Sequence, residues 1–217
     1  KHKESAPISV IVTTYNRKAI LTETINSILN QTFKNFELIV VDNFSDYDFI
    51  SHMKSFNDDR IRFFQNRNDG IIAVNRNYGI NKSNGEFIAF CDDDDLWIKN
   101  KLEDQFKNIT KYNVDMVYSI CKLFGQINFF SNFFGIFPSP NRVKISQDSL
   151  LKYNTVPLCT VMVKKEVLDE FNGFNTQKKY SGIEDYELWL RLFKSKSIMF
   201  IPRIHAYYRI HPNMTQL

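Results

Sequence analysis

Four consecutive aspartates, Asp92 to Asp95, follow the apolar run Phe87-Ile88-Ala89-Phe90-Cys91. Like charges this close repel, and each carboxylate loses water at the end of a buried strand, so a cation is needed to neutralise them. Oxygen ligands of this kind suit a hard divalent ion, Mg²⁺ or Mn²⁺, and Mg²⁺ commonly takes one or two carboxylates plus phosphate oxygens. The plainer alternative is a solvated acidic turn capping a helix that begins near Lys99. Two other polar runs sit at comparable places, Thr13-Thr14-Tyr15-Asn16-Arg17 and Asp42-Asn43-Phe44-Ser45-Asp46, each directly after an apolar stretch. A further carboxylate pair, Glu184-Asp185, follows Gly182, whose freedom lets the backbone bend there.

The elements that position these groups are read from apolar periodicity. Short β-rich runs recur at Ile8 to Val12, Phe36 to Val41, Ile61 to Phe64, Phe87 to Cys91, Val114 to Ile120 and Leu158 to Val163. Several are apolar on consecutive positions, as strands covered on both faces must be. Between them run helical stripes, with Leu21, Ile25, Ile28 and Leu29 on one, Ala73, Val74 and Ile80 on another, and Leu102 with Phe106 on a third. This alternation predicts an α/β fold with a mainly parallel sheet, and ligands gather at the carboxyl ends of such strands. All three polar runs fall at that rim. Beyond Cys121 the pattern loosens, with a short helix expected from about Ser146, another over roughly Asp185 to Lys194, a strand at Ile198 to Ile201, and a tail from His205.

Composition narrows the function class. The 217 residues are 43% hydrophobic and 24% charged, an ordinary globular balance that argues against disorder and repeat polymers. The net charge of +4 comes without a basic run longer than a pair, so no nucleic-acid partner is expected. Cys91, Cys121 and Cys159 each lie inside an apolar run, as buried thiols of a reducing compartment do. Residues 1–7 are short and polar, with no apolar h-region of signal-peptide length behind them; the expectation is no signal peptide and a cytosol-facing chain. Leu123 to Asn141 holds no charged residue but is broken by Gly125, Gly135, Pro138 and Pro140, which excludes a spanning helix.

The segment Phe87 to Trp97, with its four aspartates, resembles the aspartate-x-aspartate region of family 2 glycosyltransferases of the GT-A fold. Ile8-Ser9-Val10-Ile11-Val12-Thr13-Thr14-Tyr15-Asn16-Arg17 is similar to that family's opening strand and loop, and Val40-Val41-Asp42-Asn43-Phe44-Ser45-Asp46 to its second strand end. Asn75-Arg76-Asn77-Tyr78-Gly79 resembles the helix before the fourth strand. Gly182-Ile183-Glu184-Asp185-Tyr186-Glu187-Leu188-Trp189-Leu190-Arg191 and Tyr208-Arg209-Ile210-His211 resemble the acceptor-side motifs. The resemblance covers nearly the whole chain. It implies one GT-A domain over 1–217, with a Rossmann-like nucleotide-binding half at about 7–122 and a mixed, irregular acceptor-side half at about 123–217.

The same resemblance implies roles. Thr13, Tyr15 and Asp42 would hold the base and ribose of a nucleotide sugar, and the chemistry agrees, since a carboxylate accepts from a pyrimidine N–H and a tyrosine ring stacks on a base. Asp92 or Asp93 would face the ribose, Asp94 would bind Mg²⁺ or Mn²⁺, and Asp95 would orient the group or cap the next helix. Arg76 would reach the nucleotide or its diphosphate, the alternative being a surface arginine on a helix. Asp185 corresponds to the general base, the alternative being a helix cap, and Glu184 would contact the acceptor or orient its loop. His211 would complete the metal shell or touch the diphosphate, or else be a surface polar group; His205 is the weaker candidate.

The function so implied is an inverting glycosyltransferase that moves a hexosyl or N-acetylhexosaminyl group from a nucleotide diphosphate donor, a UDP-sugar, to a hydroxyl of a saccharide or lipid-linked saccharide. Bacterial surface-polysaccharide assembly is the expected setting, at the inner face of the cytoplasmic membrane. The alternative is a catalytically silent nucleotide-sugar-binding module of the same fold. A dinucleotide-binding oxidoreductase is excluded because Thr-Thr-Tyr-Asn-Arg stands where a glycine-rich turn is required. The Phe-rich stretch, with Phe129, Phe130, Phe133 and Phe134, either packs inward or offers rings for peripheral membrane contact.

Overall fold

The computed structural model describes residues 6–125, the backbone of 136–137, and residues 153–211. The chain alternates β1 (Ile8–Thr14), α1 (Lys18–Leu29), β2 (Phe36–Asp42), α2 (Phe49–Ser55), β3 (Ile61–Gln65), α3 (Ile72–Lys82) and β4 (Phe87–Asp92). It continues through β5 (Leu96–Trp97), α4 (Lys101–Tyr112), β6 (Met116–Gly125), β7 (Ile136–Phe137), β8 (Met162–Lys164), α5 (Lys165–Glu170), α6 (Glu184–Leu192) and β9 (Ile198–Ile210).

Among the described residues these strands make one nine-stranded sheet in the order β3-β2-β1-β4-β8-β6-β9-β5, with β7 beside β6. The first four are mutually parallel. From β8 onward the sheet is mixed, since β8 runs antiparallel to both β4 and β6 while β9 runs parallel to β6. The expected parallel half and mixed half are therefore both present. Every residue of β1 and β2 is buried, because helices cover both faces. Val10 and Val12 pack with Leu21, Ile25 and Ile28 of α1, Phe49 and Met53 of α2, and Leu102 and Ile109 of α4. Ile11 on the other face packs with Ala73 and Ile80 of α3, Val167 of α5, and Leu188 and Trp189 of α6.

The carboxyl half departs from the expected elements in two places. Leu158 to Val163 is not one strand: Leu158–Thr160 forms a tight helical turn, and only Met162–Lys164 pairs in the sheet. The turn is closed by Thr160 N–H to the Pro157 carbonyl and by the Thr160 hydroxyl to the same oxygen, local bonds that compete with the ladder. Ile198 to Ile201 is the start of a much longer strand, because β9 stays paired with β6 as far as Gly125↔Ile210. The register shifts after Ser119↔Ile201, again after Ile120↔Ile204, and runs regularly from Cys121↔Ala206; the first shift lets Pro202 occupy a bulge where a missing N–H is tolerated. The expected helix from Ser146 and the rings of Phe129, Phe130, Phe133 and Phe134 lie outside the described residues.

One close approach sets β4 beside β1. Gly85 donates its N–H to Ser9 Oγ at 2.8 Å, and a Cβ at Gly85 would stand 2.6 Å from the Ser9 backbone nitrogen. A buried sheet backbone cannot shift away cheaply. Gly85→Ala is expected to cost about 1–3 kcal/mol through overpacking, read as a melting temperature lower by about 2–4 °C for each kcal/mol in a chain of this size. An unchanged melting curve would remove the close approach from the reasons for this glycine.

Candidate functional site

Sheet register brings the polar runs together. Thr13 stands opposite Asp92 on β4, and Thr14 opposite Asp42 on β2. The loop after β1 is tied to the loop after β2, since Asn16 N–H donates to Ser45 Oγ at 2.7 Å and the Asn16 amide bonds Asp46 from both sides. Both oxygens of the fully buried Asp42 are engaged, accepting from Ser45 N–H at 3.0 Å, the Ser45 hydroxyl at 2.5 Å and Gln65 Nε2 at 3.0 Å. Asp42 thus holds the Ser45 turn in shape. Tyr15 is 51% exposed at this rim. Two buried polar atoms here, Thr13 Oγ1 and Asn75 Nδ2, have no partner among the described residues; Asn75 Oδ1 accepts from Asn66 just after β3.

The four aspartates diverge. Asp92 Oδ1 accepts from Arg76 at 2.7 Å. Asp93 is buried, its two oxygens taken by the Thr14 hydroxyl at 2.7 Å and Arg17 at 3.0 Å. Asp94 Oδ2 meets the same Arg17 nitrogen at 2.7 Å and lies 3.2 Å from His211 Nε2. Asp95 is buried and points inward, with Oδ1 accepting from Arg209 N–H and Oδ2 unpartnered among the described residues. It caps no helix: α4 begins at Lys101, after Asn100. Thr24 of α1 steadies the run by donating to the carbonyls of Asp93 and Asp95.

Burial, against the Thr14 bond and the Arg17 charge, pushes the Asp93 carboxyl up to about 6. Burial and then the neighbouring Asp92 raise Asp94, and burial with Asp92 and Asp94 raises Asp95 well above the carboxylate range. Among the described residues the four carboxylates share only the guanidiniums of Arg17 and Arg76, a shortage of positive charge. That shortage, and the carboxylate donors themselves, fit a hard divalent ion. Among the described residues no three or more His, Cys, Asp or Glu groups are arranged to hold one. Asp94 and His211 would hold the ion only with phosphate oxygens completing its shell, the way Mg²⁺ is commonly bound.

Arg76 is not a surface arginine. Buried on α3, it sends one nitrogen to Asp92 at 2.7 Å and the other to Glu184 at 2.5 Å, and its guanidinium carbon lies 5.5 Å from the centre of the Phe174 ring. Burial acts to lower its pKa, but Asp92 and Glu184 hold it above the ordinary arginine value. Glu184, also buried, accepts from Gly182 N–H at 2.7 Å with its other oxygen, so it orients the loop that opens α6. Gly182 turns there with φ 85°. Next to it, Asp185 accepts from Tyr186 N–H at 2.7 Å and from the Asn154 amide at 3.3 Å. Burial pushes its carboxyl up to about 6, against the pull of Arg76. The helix start itself has no side-chain cap.

His205 belongs to the interior: fully buried, it lies 3.0 Å from Asp104, and burial lowers it to about 4. The sequence motifs include Arg17, Asn75 and Arg209 without assigning them a role, and do not include Asn66 or Asn154. Arg17 carried a signal, since it closes the polar run after β1; nothing local marks Asn154 or Arg209 as partners of residues far away in the chain.

Comparison with known proteins agrees with this architecture. The model described as glycosyl transferase family 2 matches residues 9–171, and that of the N-terminal domain of galactosyltransferase matches 143–213. The chain is 32% identical over 194 residues to the UDP-Glc:alpha-D-GlcNAc-diphosphoundecaprenol beta-1,3-glucosyltransferase WfgD of Escherichia coli, covering 89% of this chain and 72% of that one. It is 32% identical over 208 residues to the GalNAc(5)-diNAcBac-PP-undecaprenol beta-1,3-glucosyltransferase of Campylobacter jejuni, covering 94% and 64%. Among solved structures, S. aureus TarS 1–349 in complex with UDP-GlcNAc superposes with a TM-score of 0.79 at 21% identity, over 95% of this chain and 59% of that one. The mannosyltransferase PcManGT from Pyrobaculum calidifontis, in complex with GDP-Man and Mn²⁺, gives 0.73 at 18% identity, over 97% and 59%. These two likenesses establish the GT-A fold, and the chain spans about three fifths of each solved chain.

Removing the buried guanidinium leaves Glu184 without a counter-charge. Arg76→Met is expected to cost about 3–5 kcal/mol, the usual loss when one member of a buried ion pair is deleted, so melting should fall by roughly 6–20 °C. Arg76→Lys, which keeps the charge but not the two-pronged geometry, should fall in between. Differential scanning calorimetry decides it, and a Met variant as stable as the native chain would show that the bridge is dispensable.

Proposed function

The chain belongs to glycosyl transferase family 2, and from that premise we propose that it transfers a sugar from a UDP-sugar to a hydroxyl of a lipid-linked saccharide, with inversion at the anomeric carbon. The observation that carries this reading is the placement of Asp185, a carboxyl raised to about 6 at the first turn of α6 and joined through Glu184 and Arg76 to the aspartate rim. A base of that strength is ionised at neutral pH yet still takes a proton readily. A sugar donor and a diphosphoundecaprenol-linked acceptor are named for the Escherichia coli relative, and UDP-GlcNAc is bound in the TarS structure.

On this reading Tyr15 and Thr13 meet the base and ribose, with the loop that Asp42 holds forming their support. Of Asp92 and Asp93, the more exposed Asp92 faces the ribose with its direction fixed by Arg76, while Asp93 is held beside it by Thr14 and Arg17. Asp94 and His211 hold Mg²⁺ or Mn²⁺, which when bound supplies positive charge to the departing diphosphate. Asp185 accepts the proton of the acceptor hydroxyl as that oxygen bonds to the anomeric carbon, while the bond from that carbon to the diphosphate breaks on the opposite face. Glu184 keeps the acceptor-side loop in place. No helix among the described residues is long and apolar enough to cross a membrane, and a lipid-linked acceptor calls for work at the inner face of the cytoplasmic membrane.

Incubation with UDP-glucose or UDP-GlcNAc and a diphospholipid-linked GlcNAc acceptor should give a product heavier by one sugar in mass spectrometry. Asp185→Asn should lower that rate about 10²–10⁴-fold, the range of general-base catalysis, while UDP affinity is unchanged. Because the base works ionised, the native rate should rise with pH through about 6. A variant as fast as the native chain would exclude Asp185 as the base. UDP affinity measured by calorimetry should drop when Mn²⁺ is replaced by excess chelator; equal affinities would exclude the shared ion.

A further inference from the structure

Arg17 directly precedes α1, and its Nη1 alone bridges two carboxylates of the rim, meeting Asp93 Oδ1 at 3.0 Å and Asp94 Oδ2 at 2.7 Å. Neither Nε nor Nη2 bonds any group among the described residues, and the side chain is 46% exposed. Arginines that serve the fold grip one carboxylate with two parallel N–H bonds, as Arg60 does with Asp58 and Arg191 with Glu187. Arg17 instead acts as a single charge laid between two acids.

The oxygen it occupies is the one a metal ion would need. Asp94 Oδ2 also lies 3.2 Å from His211 Nε2, close to the roughly 3 Å between neighbouring donors of an octahedral shell with bonds of about 2.1 Å. An ion held by these two atoms cannot share that side of Asp94 with a guanidinium, because like charges about 4 Å apart repel strongly once bulk water is excluded. Arg17 is free to leave. Asp93 keeps the Thr14 hydroxyl at 2.7 Å, and the backbone around Arg17 is held independently, by Leu21 N–H on the Arg17 carbonyl and by the Asn16 bonds to Ser45 and Asp46. Phosphate oxygens arriving with the ion suit the planar fork of the released guanidinium.

We propose that Arg17 is a resident counter-charge, seated on Asp93 and Asp94 until a metal ion displaces it toward the donor diphosphate, so that ion and nucleotide favour each other's binding through this one side chain. The proposal rests on the reading of Asp94 and His211 as metal ligands of a nucleotide-sugar site. An ion that arrives alone breaks both contacts of Arg17 and gives the guanidinium no new partner, whereas an ion that arrives with UDP supplies one. By linkage, that difference adds to the coupling between the two ligands.

The test is calorimetric titration with Mn²⁺, without nucleotide and in saturating UDP, of the native chain, Arg17→Gln, Arg17→Lys and Lys18→Gln, alongside melting curves. In Arg17→Gln, Mn²⁺ alone should bind about 5- to 150-fold more tightly, the usual span of a coupling between two ligands, and UDP should raise that affinity by a smaller factor than in the native chain. Arg17→Lys keeps the charge and should stay near the native values. Lys18→Gln removes the same charge from the next residue, which is exposed, lies with its amine 5.8 Å from the Tyr47 ring centre and pairs with no rim aspartate among the described residues; its Mn²⁺ affinity should be that of the native chain. Unchanged Mn²⁺ binding in Arg17→Gln overturns the proposal, and an equal gain in Lys18→Gln does so by reducing the effect to net charge. A gain that leaves the effect of UDP undiminished also overturns it. Weaker Mn²⁺ binding together with a lower melting temperature would give Arg17 a structural role instead. A native chain that binds Mn²⁺ neither alone nor with UDP overturns the metal reading itself.

Discussion

A single buried guanidinium joins the two halves of this protein's polar rim. Arg76 rises from α3 between the end of β4 and the start of α6, holding Asp92 with one arm and Glu184 with the other. Glu184 is as deeply buried as the arginine, so removing either one would leave the other's charge enclosed without a counter-ion. What this arrangement contributes is geometry more than net stability. It fixes the aspartate run relative to the Gly182 turn, and so sets where Asp185 stands. Planar donors suit the task, because two fixed directions from one rigid group define an angle that a lysine's single point charge does not.

Around that bridge the protein accumulates negative charge that its own cations do not fully balance. Arg17 serves Asp93 and Asp94, the Arg209 guanidinium serves Glu23 while only its backbone N–H meets Asp95, and His211 approaches Asp94. Even so, Asp93, Asp94, Asp95 and Asp185 all sit above their ordinary carboxyl values, with burial the largest cause in each. A rim built this way binds poorly to anions unless a cation accompanies them. The adjoining loops are rigid for a separate reason: backbone and side-chain bonds among residues 14–16, 42–46 and 66–68 lock three strand ends together.

The protein also buries charge away from the rim. Lys101 is fully enclosed, its amine 4.0 Å from the Trp97 ring centre and bonded to Gln105, with burial lowering it to about 7. A lysine at a helix start reads as solvated in any periodic pattern, and His205 in an alternating strand reads as half-exposed. Both are interior because β5 and β9 close over α4, an event remote from either residue in sequence.

The amino-acid sequence by itself determined the parallel half of the sheet, since runs such as Ile8 to Val12 and Phe36 to Val41 are apolar at every position or nearly so and suit only strands covered on both faces. It also determined that polar chemistry lies at the strand ends, because Asp42, Asp92 to Asp95 and Thr13 directly follow those runs, and that the chain resembles family 2 transferases. Only the tertiary structure decided which carboxylate meets which cation. Arg76 and Glu184 are 108 residues apart and Asp94 and His211 117 apart, and no local propensity encodes a pair brought together by sheet order. It likewise decided that Asp42 spends its oxygens on Ser45 and Gln65, that Asp95 turns inward, and that β9 runs on past Pro202. Hydrogen-bond partners and strand register are settled by what packs alongside, whereas hydrophobic periodicity is written residue by residue.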